Sequence, residues 1–254
     1  MQACYAKTIV RERAKPEDWT PETMLQRAIA AKTATTRAKY ARLGLSTEQP
    51  LDRTTQSLLL RQLYLSYFES ENFEKALEIA EQILALGIML DVCRQDMART
   101  LLSLGQLDAA VEHLRLAARA APASRRSFHW WTLGSVLYLA GRLEEAEGAL
   151  RRAVRWGTTA RPLYDAQLAL IQLEMGQSVA DVDDVVERLE EAPCGQGYGR
   201  FVLGMLCLRA GFASKGEHYL RLFLKRLHQG RKATALSLSG EIAIAQEQLR
   251  RLAG

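Results

Sequence analysis

Apolar and small residues recur at helical spacing along most of the chain. Trp130, Leu133, Gly134 and Leu137 fall at positions i, i+3, i+4 and i+7, which places them on one face of an α-helix. Gly141 follows at the point where this helix should end, and glycine tolerates the positive φ of a tight turn. A second helical stripe begins directly after it. The pattern predicts two antiparallel helices joined by a short turn.

The same pattern recurs five times. The units cover about residues 57–90, 91–124, 127–160, 162–194 and 197–230. The fourth unit departs most, because Asp181 stands at the place that Ala146 holds in the third. The units repeat about every 34 residues. A period of this length is typical of helical solenoids, in which each unit packs only on its neighbours.

The segments outside the repeats have their own signals. Thr20, Pro21 and Glu22 indicate a helix start, with a capping hydroxyl and a proline in the first turn. We expect one lead-in helix from there to about Leu43, ended by Gly44. At the other end, an amphipathic helix of about residues 233–252 is expected to cap the solenoid. The predicted organisation is a flexible basic segment (1–19), a lead-in helix and linker (20–56), five repeats with the fourth degenerate (57–230) and a capping helix (231–254).

The third unit resembles a tetratricopeptide repeat. The residues that carry the resemblance are Trp130, Leu133, Gly134, Leu137, Gly141, Ala146 and Ala153. Resemblance to this family extends over about residues 57–230. It implies an all-α, right-handed superhelical solenoid of helix–turn–helix repeats. In each repeat the first helix (A) lines a concave groove and the second helix (B) lies outside. It also implies a non-enzymatic adaptor or scaffold that binds a peptide or a helix of another protein.

The family places fixed A-helix positions in the groove. Projected onto this sequence, these positions are mainly apolar and aromatic, with two arginines near one end. Such a lining suits an amphipathic helix or a peptide that carries an acidic group. The alternative is that some of these side chains pack against the lead-in or capping helix. The candidate groove residues are Arg61, Leu65, Gln95, Arg99, Trp131, Ser135, Tyr138, Leu170, Phe201 and Met205.

Positive charge is concentrated between Arg115 and Arg161. Pairs of cations at i and i+4 occupy equivalent places in the B helices of three repeats, so each pair shares one helical face. Stacked repeats would align the pairs into a basic ridge, formed by Arg115, Arg119, Arg151, Arg155, Arg221 and Lys225. The ridge predicts docking of a polyanion or an acidic protein surface, although nucleic acid is the less favoured partner. The alternative is an ordinary solvated surface. Self-assembly into a homo-oligomer is a third alternative for the chain as a whole.

Composition excludes several other classes. The net charge is +5 and the 4 cysteines show no metal-ligand spacing, so we expect no cofactor, no metal and no disulfide framework. The histidines form no HExxH pattern, and no nucleophile motif occurs, so an enzyme is not expected. No apolar run is long enough to cross a membrane, and the start lacks a secretory signal, which favours the cytoplasm. The preference for arginine over lysine suggests a bacterial source.

Overall fold

The computed structural model describes residues 19–228 and 232–253, and in these ranges the chain is all-α. The expected all-α solenoid of helical repeats is confirmed. A short 3-10 helix, Pro193–Gly195, precedes α11. Within the described ranges, none of the helices is both long and apolar enough to span a bilayer. The helices are α1 (Pro21–Ala30), α2 (Ala34–Leu45), α3 (Arg53–Glu69), α4 (Phe73–Ala85), α5 (Leu90–Ser103), α6 (Leu107–Ala120), α7 (Ala123–Leu139), α8 (Leu143–Trp156), α9 (Arg161–Glu174), α10 (Val182–Glu191), α11 (Gly199–Arg209), α12 (Ala213–His228), α13 (Lys232–Ser237) and α14 (Ser239–Ala253).

Helices α3 to α12 form the five predicted helix pairs, with α3, α5, α7, α9 and α11 as the A helices. Small residues allow the two helices of a pair to approach closely. A Cβ atom added at Gly134 in α7 would lie 2.7 Å from Cγ of Leu150 in α8. Ala146 at the same crossing is fully buried. Gly141 has a φ of 72° in the turn between them, as the turn was predicted to require.

The fourth pair differs from the others in its connection. In four of the pairs three residues join the A helix to the B helix, whereas residues 175–181 join α9 to α10. Asp181 therefore precedes α10, with a positive φ of 51°, and does not lie in the helix. Asp181 was expected to take the place that Ala146 holds inside α8. This was wrong, because the longer connection makes α10 begin only after Asp181.

The predicted single lead-in helix is two helices. Ala31 is extended, and Thr33 caps a new helix by accepting a hydrogen bond from the Thr36 amide at 3.2 Å. Helices α1 and α2 pack on each other and on α3. Gly44 does not end the helix but lies within α2, where an added Cβ would be 3.0 Å from Met24 Cβ. The segment adds a further helix pair to the solenoid. The predicted flexibility of residues 1–19 concerns positions that, up to residue 18, lie outside the described residues.

The predicted capping helix is also two helices. Leu238 lies in a turn between α13 and α14, and its carbonyl accepts the Ile242 amide at 2.9 Å. Helix α14 contacts α11 and α12 at the end of the solenoid, as a cap would. Helix α13 contacts α12 as well, but it also reaches α3, in the first repeat. The segment therefore crosses the A-helix face rather than covering only its end. We call α13, Leu238 and α14 together the C-terminal strap.

Polar side chains link A helices of neighbouring repeats. Arg61 Nε donates to Asp96 Oδ2 at 2.8 Å, across 35 residues of sequence. Trp131 Nε1 donates to Gln167 Oε1 at 2.6 Å, across 36 residues. Both bonds span one repeat. They complement the apolar contacts that each repeat makes with the next.

Candidate partner-binding groove

The A-helix face, which the family resemblance predicts to be concave, is partly covered by the C-terminal strap. Lys232 Nζ pairs with Glu71 Oε1 at 2.7 Å, at the end of the first repeat's A helix. Ala233 and Leu236 pack against the core cluster of the first repeats. Further along the strap, Leu238 packs against the larger core cluster that the later repeats form. The chain's own C-terminal segment therefore lies over part of the A-helix face.

The ten candidate groove residues are divided by depth. Arg61, Leu65, Gln95, Arg99 and Trp131 are half-buried. The other five are buried, namely Ser135, Tyr138, Leu170, Phe201 and Met205. Three of these, Leu170, Phe201 and Met205, are at most 2% exposed and belong to the core. They support the groove from beneath and are not available to a partner.

Phe201 shows what the buried candidates contact. Its ring centroid lies 5.4 Å from that of Phe223 in α12 and 5.7 Å from that of Tyr198. The projection from the family placed it correctly on an A helix, but α12 covers it. Two exposed apolar residues on neighbouring A helices remain, Leu102 at 36% and Phe128 at 40% exposure. They are the side chains in this face that a partner can reach most easily.

The two arginines of the groove share a buried carboxylate. Asp96 is almost fully buried, and Arg61 Nε lies 2.8 Å and Arg99 Nη1 3.6 Å from its oxygens. The Arg99 guanidinium also lies 5.7 Å from the ring centroid of Phe68. Two cations and one anion leave this cluster with one net positive charge. Asp96 was missed by the sequence analysis, although its i, i+3 spacing to Arg99 was a visible signal.

Aromatic side chains of the third and fifth repeats form a continuous row. Ring centroids are 5.6 Å apart between Phe128 and Trp131, and 5.0 Å apart between Trp131 and Tyr198. Trp131 is held in place by its hydrogen bond to Gln167, and Ser135 Oγ donates to the same Gln167 oxygen at 3.2 Å. The row is therefore preorganised, and its outer end is Phe128.

Glu241 of the strap lines the same cavity as this row. Glu241 is only 4% exposed, and burial raises the pKa of its carboxyl to about 7. The hydroxyl of Tyr198 is buried beside the Glu241 carboxyl. Burial and the nearby Glu241 carboxyl together raise the pKa of Tyr198 well above its usual range. Glu241 was not foreseen from the sequence, because its proximity to Tyr198 depends on how the strap docks.

Empty space remains between the strap and the A helices. One cavity of about 320 Å³ is lined by Arg99 and Leu102 on one side and by Ser237, Ser239 and Gly240 on the other. A second cavity of about 170 Å³ shares Arg99 and Leu102 and extends to Gln95, Phe128, Trp131, Leu238 and Glu241. The strap therefore fills the groove incompletely. Among the described residues, no cluster of three or more potential metal ligands occurs.

The predicted basic ridge is partly neutralised. Arg115 pairs with Glu145 at 2.6 Å, Arg151 with Glu147 at 2.6 Å and Arg221 with Glu217 at 2.7 Å. The remaining ridge residues, Arg119, Arg155 and Lys225, are exposed and form no ion pair with described residues.

An exposed tryptophan adjoins the unpaired part of the ridge. Trp156 is 48% exposed, and the guanidinium groups of Arg126 and Arg155 lie 5.6 and 5.5 Å from its ring centroid. Arg152 lies 5.0 Å from the ring centroid of Trp130. This arrangement of cations and aromatic rings was not foreseen, because it combines residues of α7 and α8.

A buried histidine–aspartate pair lies on α5 and α7. His129 Nε2 is 3.1 Å from Asp91 Oδ2, and Arg125 Nε donates to the same oxygen at 2.8 Å. Burial lowers the pKa of His129, which favours the neutral imidazole. His129 and Asp91 are 1% and 3% exposed, so the pair links two repeats and does not face a cleft.

Comparison with known proteins supports the helical repeat assignment. Residues 93–124, which cover most of the second predicted repeat, match the family model described as tetratricopeptide repeat. This confirms the resemblance on which the groove was predicted. No curated protein matches the sequence.

Solved structures with a similar fold, among them the following two, cover most of the chain. The apo form of RapI is 14% identical, with a TM-score of 0.60, over 86% of this chain and 88% of the other. PilF of Pseudomonas aeruginosa is 19% identical, with a TM-score of 0.51, over 79% of this chain and 90% of the other. At these identities the similarity shows the fold alone.

Proposed function

We propose that this protein is a non-enzymatic, cytoplasmic adaptor or scaffold that binds an amphipathic helix or peptide of a partner protein in the A-helix groove. One observation carries the proposal: this face already receives a helical segment, the C-terminal strap, through aliphatic side chains such as Leu236 and Leu238. Tetratricopeptide-like repeats typically present such a face to other proteins.

The chemistry of the open part of the groove favours a partner that is apolar with an acidic group. Leu102, Phe128 and Trp131 provide apolar and aromatic surface next to the cavities. Arg99 adds a cation whose only carboxylate partner among the described residues is shared with Arg61. Aromatic and arginine side chains are common anchors in protein interfaces. A carboxylate on the partner would complete the pairing of Arg99.

The test compares a groove variant with a matched variant on the outer surface. Partners are captured from the native cytosol, and the bound segment is mapped with synthetic peptides. Its affinity is then measured for the wild type and for Arg99→Glu with Phe128→Ala. We expect at least a tenfold loss of affinity, because one charge is reversed and one anchor is removed.

The control variant combines Arg152→Glu with Trp156→Ala, which makes the same two kinds of change on α8. Trp156 and Phe128 have similar exposure, so both variants should stay folded. Melting curves check this directly. Retained affinity in the groove variant, or an equal loss in the control, contradicts binding in the groove.

A second candidate function is the binding of a polyanion by the basic ridge. It is favoured by the unpaired Arg119 and Arg155 and by the exposed Trp156 between two guanidinium groups. It predicts that affinity falls steeply with salt concentration, since binding releases counterions. Reversal of Arg119 and Arg155 to glutamate should abolish it while groove binding persists. Salt-independent binding excludes this candidate.

A further inference from the structure

We propose that the C-terminal strap is an internal occupant of the groove, and that the partner presents an amphipathic helix of similar chemistry which displaces it. This inference rests on the proposed function, because it assigns both the partner's chemistry and the regulation to the same groove. Four features of the strap support it. The strap has an apolar stripe, it fills the groove incompletely, its first helix makes few buried contacts, and it is covalently joined to the repeats.

The strap carries the stripe that a groove-binding helix needs. Leu238, Ile242, Ala245 and Leu249 recur at intervals of four, three and four, which places them on one helical face. Ala245 is fully buried, and the other three pack against the larger core cluster. Ala243 and Gln246 lie outside this stripe and are exposed. The strap therefore docks through an aliphatic helical stripe whose first residue, Leu238, lines the cavity beside Arg99, while α14 as a whole contacts α11 and α12.

The strap fits the groove incompletely. Ser237, Ser239 and Gly240 line the cavity of about 320 Å³ with small side chains that do not fill it. A space of this size admits water, and an apolar group that displaces loosely held water gains affinity. A partner helix with larger apolar side chains at these positions would make that gain. The strap is thus a ligand that a better-fitting helix can replace.

The strap is weakly held at its first helix. Helix α13 has six residues, none of which is buried. Its ion pair, Lys232 to Glu71, joins side chains that are 62% and 52% exposed, so solvent and salt weaken it. Displacement should therefore begin at α13, while the buried stripe of α14 is released afterwards.

Because the strap is part of the same chain, its effective concentration at the groove exceeds that of a free helix of the same sequence. A segment joined to its binding site by a short linker has an effective concentration on the order of millimolar. An identical peptide at micromolar concentration should therefore be excluded from the wild-type groove. A true partner must exceed the strap in fit, and the empty cavities show where the improvement is available.

The experiment uses the full-length chain and a fluorescent synthetic peptide of residues 232–253. Binding is measured by anisotropy for the wild type and for a release variant, Leu238→Glu with Ile242→Glu. The release variant places two charges in the apolar stripe, which should free the groove without altering any A helix. We expect it to bind the peptide at least tenfold more tightly than the wild type does.

The matched control is Ala243→Glu with Gln246→Glu. It adds two glutamates to the same helix at exposed positions, so it should exclude the peptide as the wild type does. A second peptide with Ser237→Leu should bind the release variant more tightly than the first, because leucine extends into the cavity. Circular dichroism and melting curves establish that the repeats remain folded.

The outcomes separate this inference from the proposed function. A folded release variant that does not bind the peptide, or equal binding by all three chains, overturns the strap as a groove occupant. Peptide binding restricted to the release variant supports it. The captured partner is then tested with the release variant and with the Arg99→Glu, Phe128→Ala variant. If its affinity for both equals its affinity for the wild type, the proposed function fails although the strap still occupies the groove.

Discussion

At the scale of single residues, Glu241 is in the least expected environment. It is a buried carboxyl group beside Tyr198, at the start of α11, and it lines the same cavity as the Arg99 side chain. It forms no ion pair with any described residue, and the pKa of about 7 follows from burial. A sequence pattern could not reveal this, because the residues around Glu241 come from distant repeats.

This burial predicts a pH dependence of stability. The folded pKa of Glu241 is about 7 and the unfolded value is near 4.5, so the folded state binds the proton more tightly. The contribution of Glu241 to the free energy of unfolding is therefore most favourable below about pH 4.5. It decreases between about pH 4.5 and pH 7 and is lost above pH 7. The shift corresponds to a change on the order of 3 kcal/mol. Urea unfolding of the wild type at pH 5 and pH 8 should show the decrease.

The variant Glu241→Gln isolates this contribution. Glutamine has a similar shape and does not titrate, so the decrease between pH 5 and pH 8 should largely disappear. Other titrating groups, such as His129, are common to both chains and cancel in the comparison. An equal pH dependence in wild type and variant would show that Glu241 does not carry it.

At the scale of helix pairs, the structure depends on a few small residues at crossings. Gly134 allows α7 to lie against Leu150 of α8, and Gly204 plays the same part against Leu220 in the fifth repeat. Gly148 is also helical, but an added Cβ there would meet only Arg152 Nη1, at 3.8 Å. Two glycines of one helix pair therefore have opposite structural roles.

We predict opposite effects of the two glycine-to-alanine substitutions. Gly134→Ala should lower the free energy of unfolding by about 1–3 kcal/mol, because its Cβ would overlap Leu150 at a buried crossing. Gly148→Ala should raise it by about 0.5–1 kcal/mol, because alanine is the better helix former and meets no obstacle. Chemical denaturation of both variants measures the difference. A stabilising Gly134→Ala would contradict the close approach.

Local patterns predicted the helix pairs well, and contacts between distant segments explain what was missed. Gly141 and Ala146 act through their own repeat, so their positions were predictable from the sequence. The capping threonine at Thr33, which divides the lead-in segment, was a visible signal that was overlooked. The docking of the strap was not predictable, because its stripe fits an end cap and a groove occupant equally well. Phe201 and Met205 are buried for a related reason, since neighbouring helices cover the A-helix positions that the family exposes.

At the scale of the whole molecule, stability should be uneven. Helices α7 and α8 contribute many fully buried side chains, including Leu137 and Leu150, whereas α13 contributes none. Local opening requires least free energy where few apolar contacts are broken. We therefore expect the strap to undock while the repeats remain folded.

Hydrogen exchange measures this directly. We predict that the amides of α13 exchange fastest among the helices, followed by those of α14, while α7 and α8 are the most protected. In the release variant Leu238→Glu with Ile242→Glu, protection should fall in the strap alone. Loss of protection throughout the repeats would instead show that the strap is required for their folding.

The strap also sets the order in which the molecule can fold. Polar links such as Arg61–Asp96 and Trp131–Gln167 join residues 35 and 36 positions apart, so neighbouring repeats can associate early and rapidly. The pair Lys232–Glu71 joins the last helices to the first repeat, and its ordering must wait until the intervening repeats are in place. Contacts formed after the transition state affect the unfolding rate rather than the folding rate. We therefore expect the docking of the strap to slow unfolding and to leave unchanged the rate at which the repeats assemble.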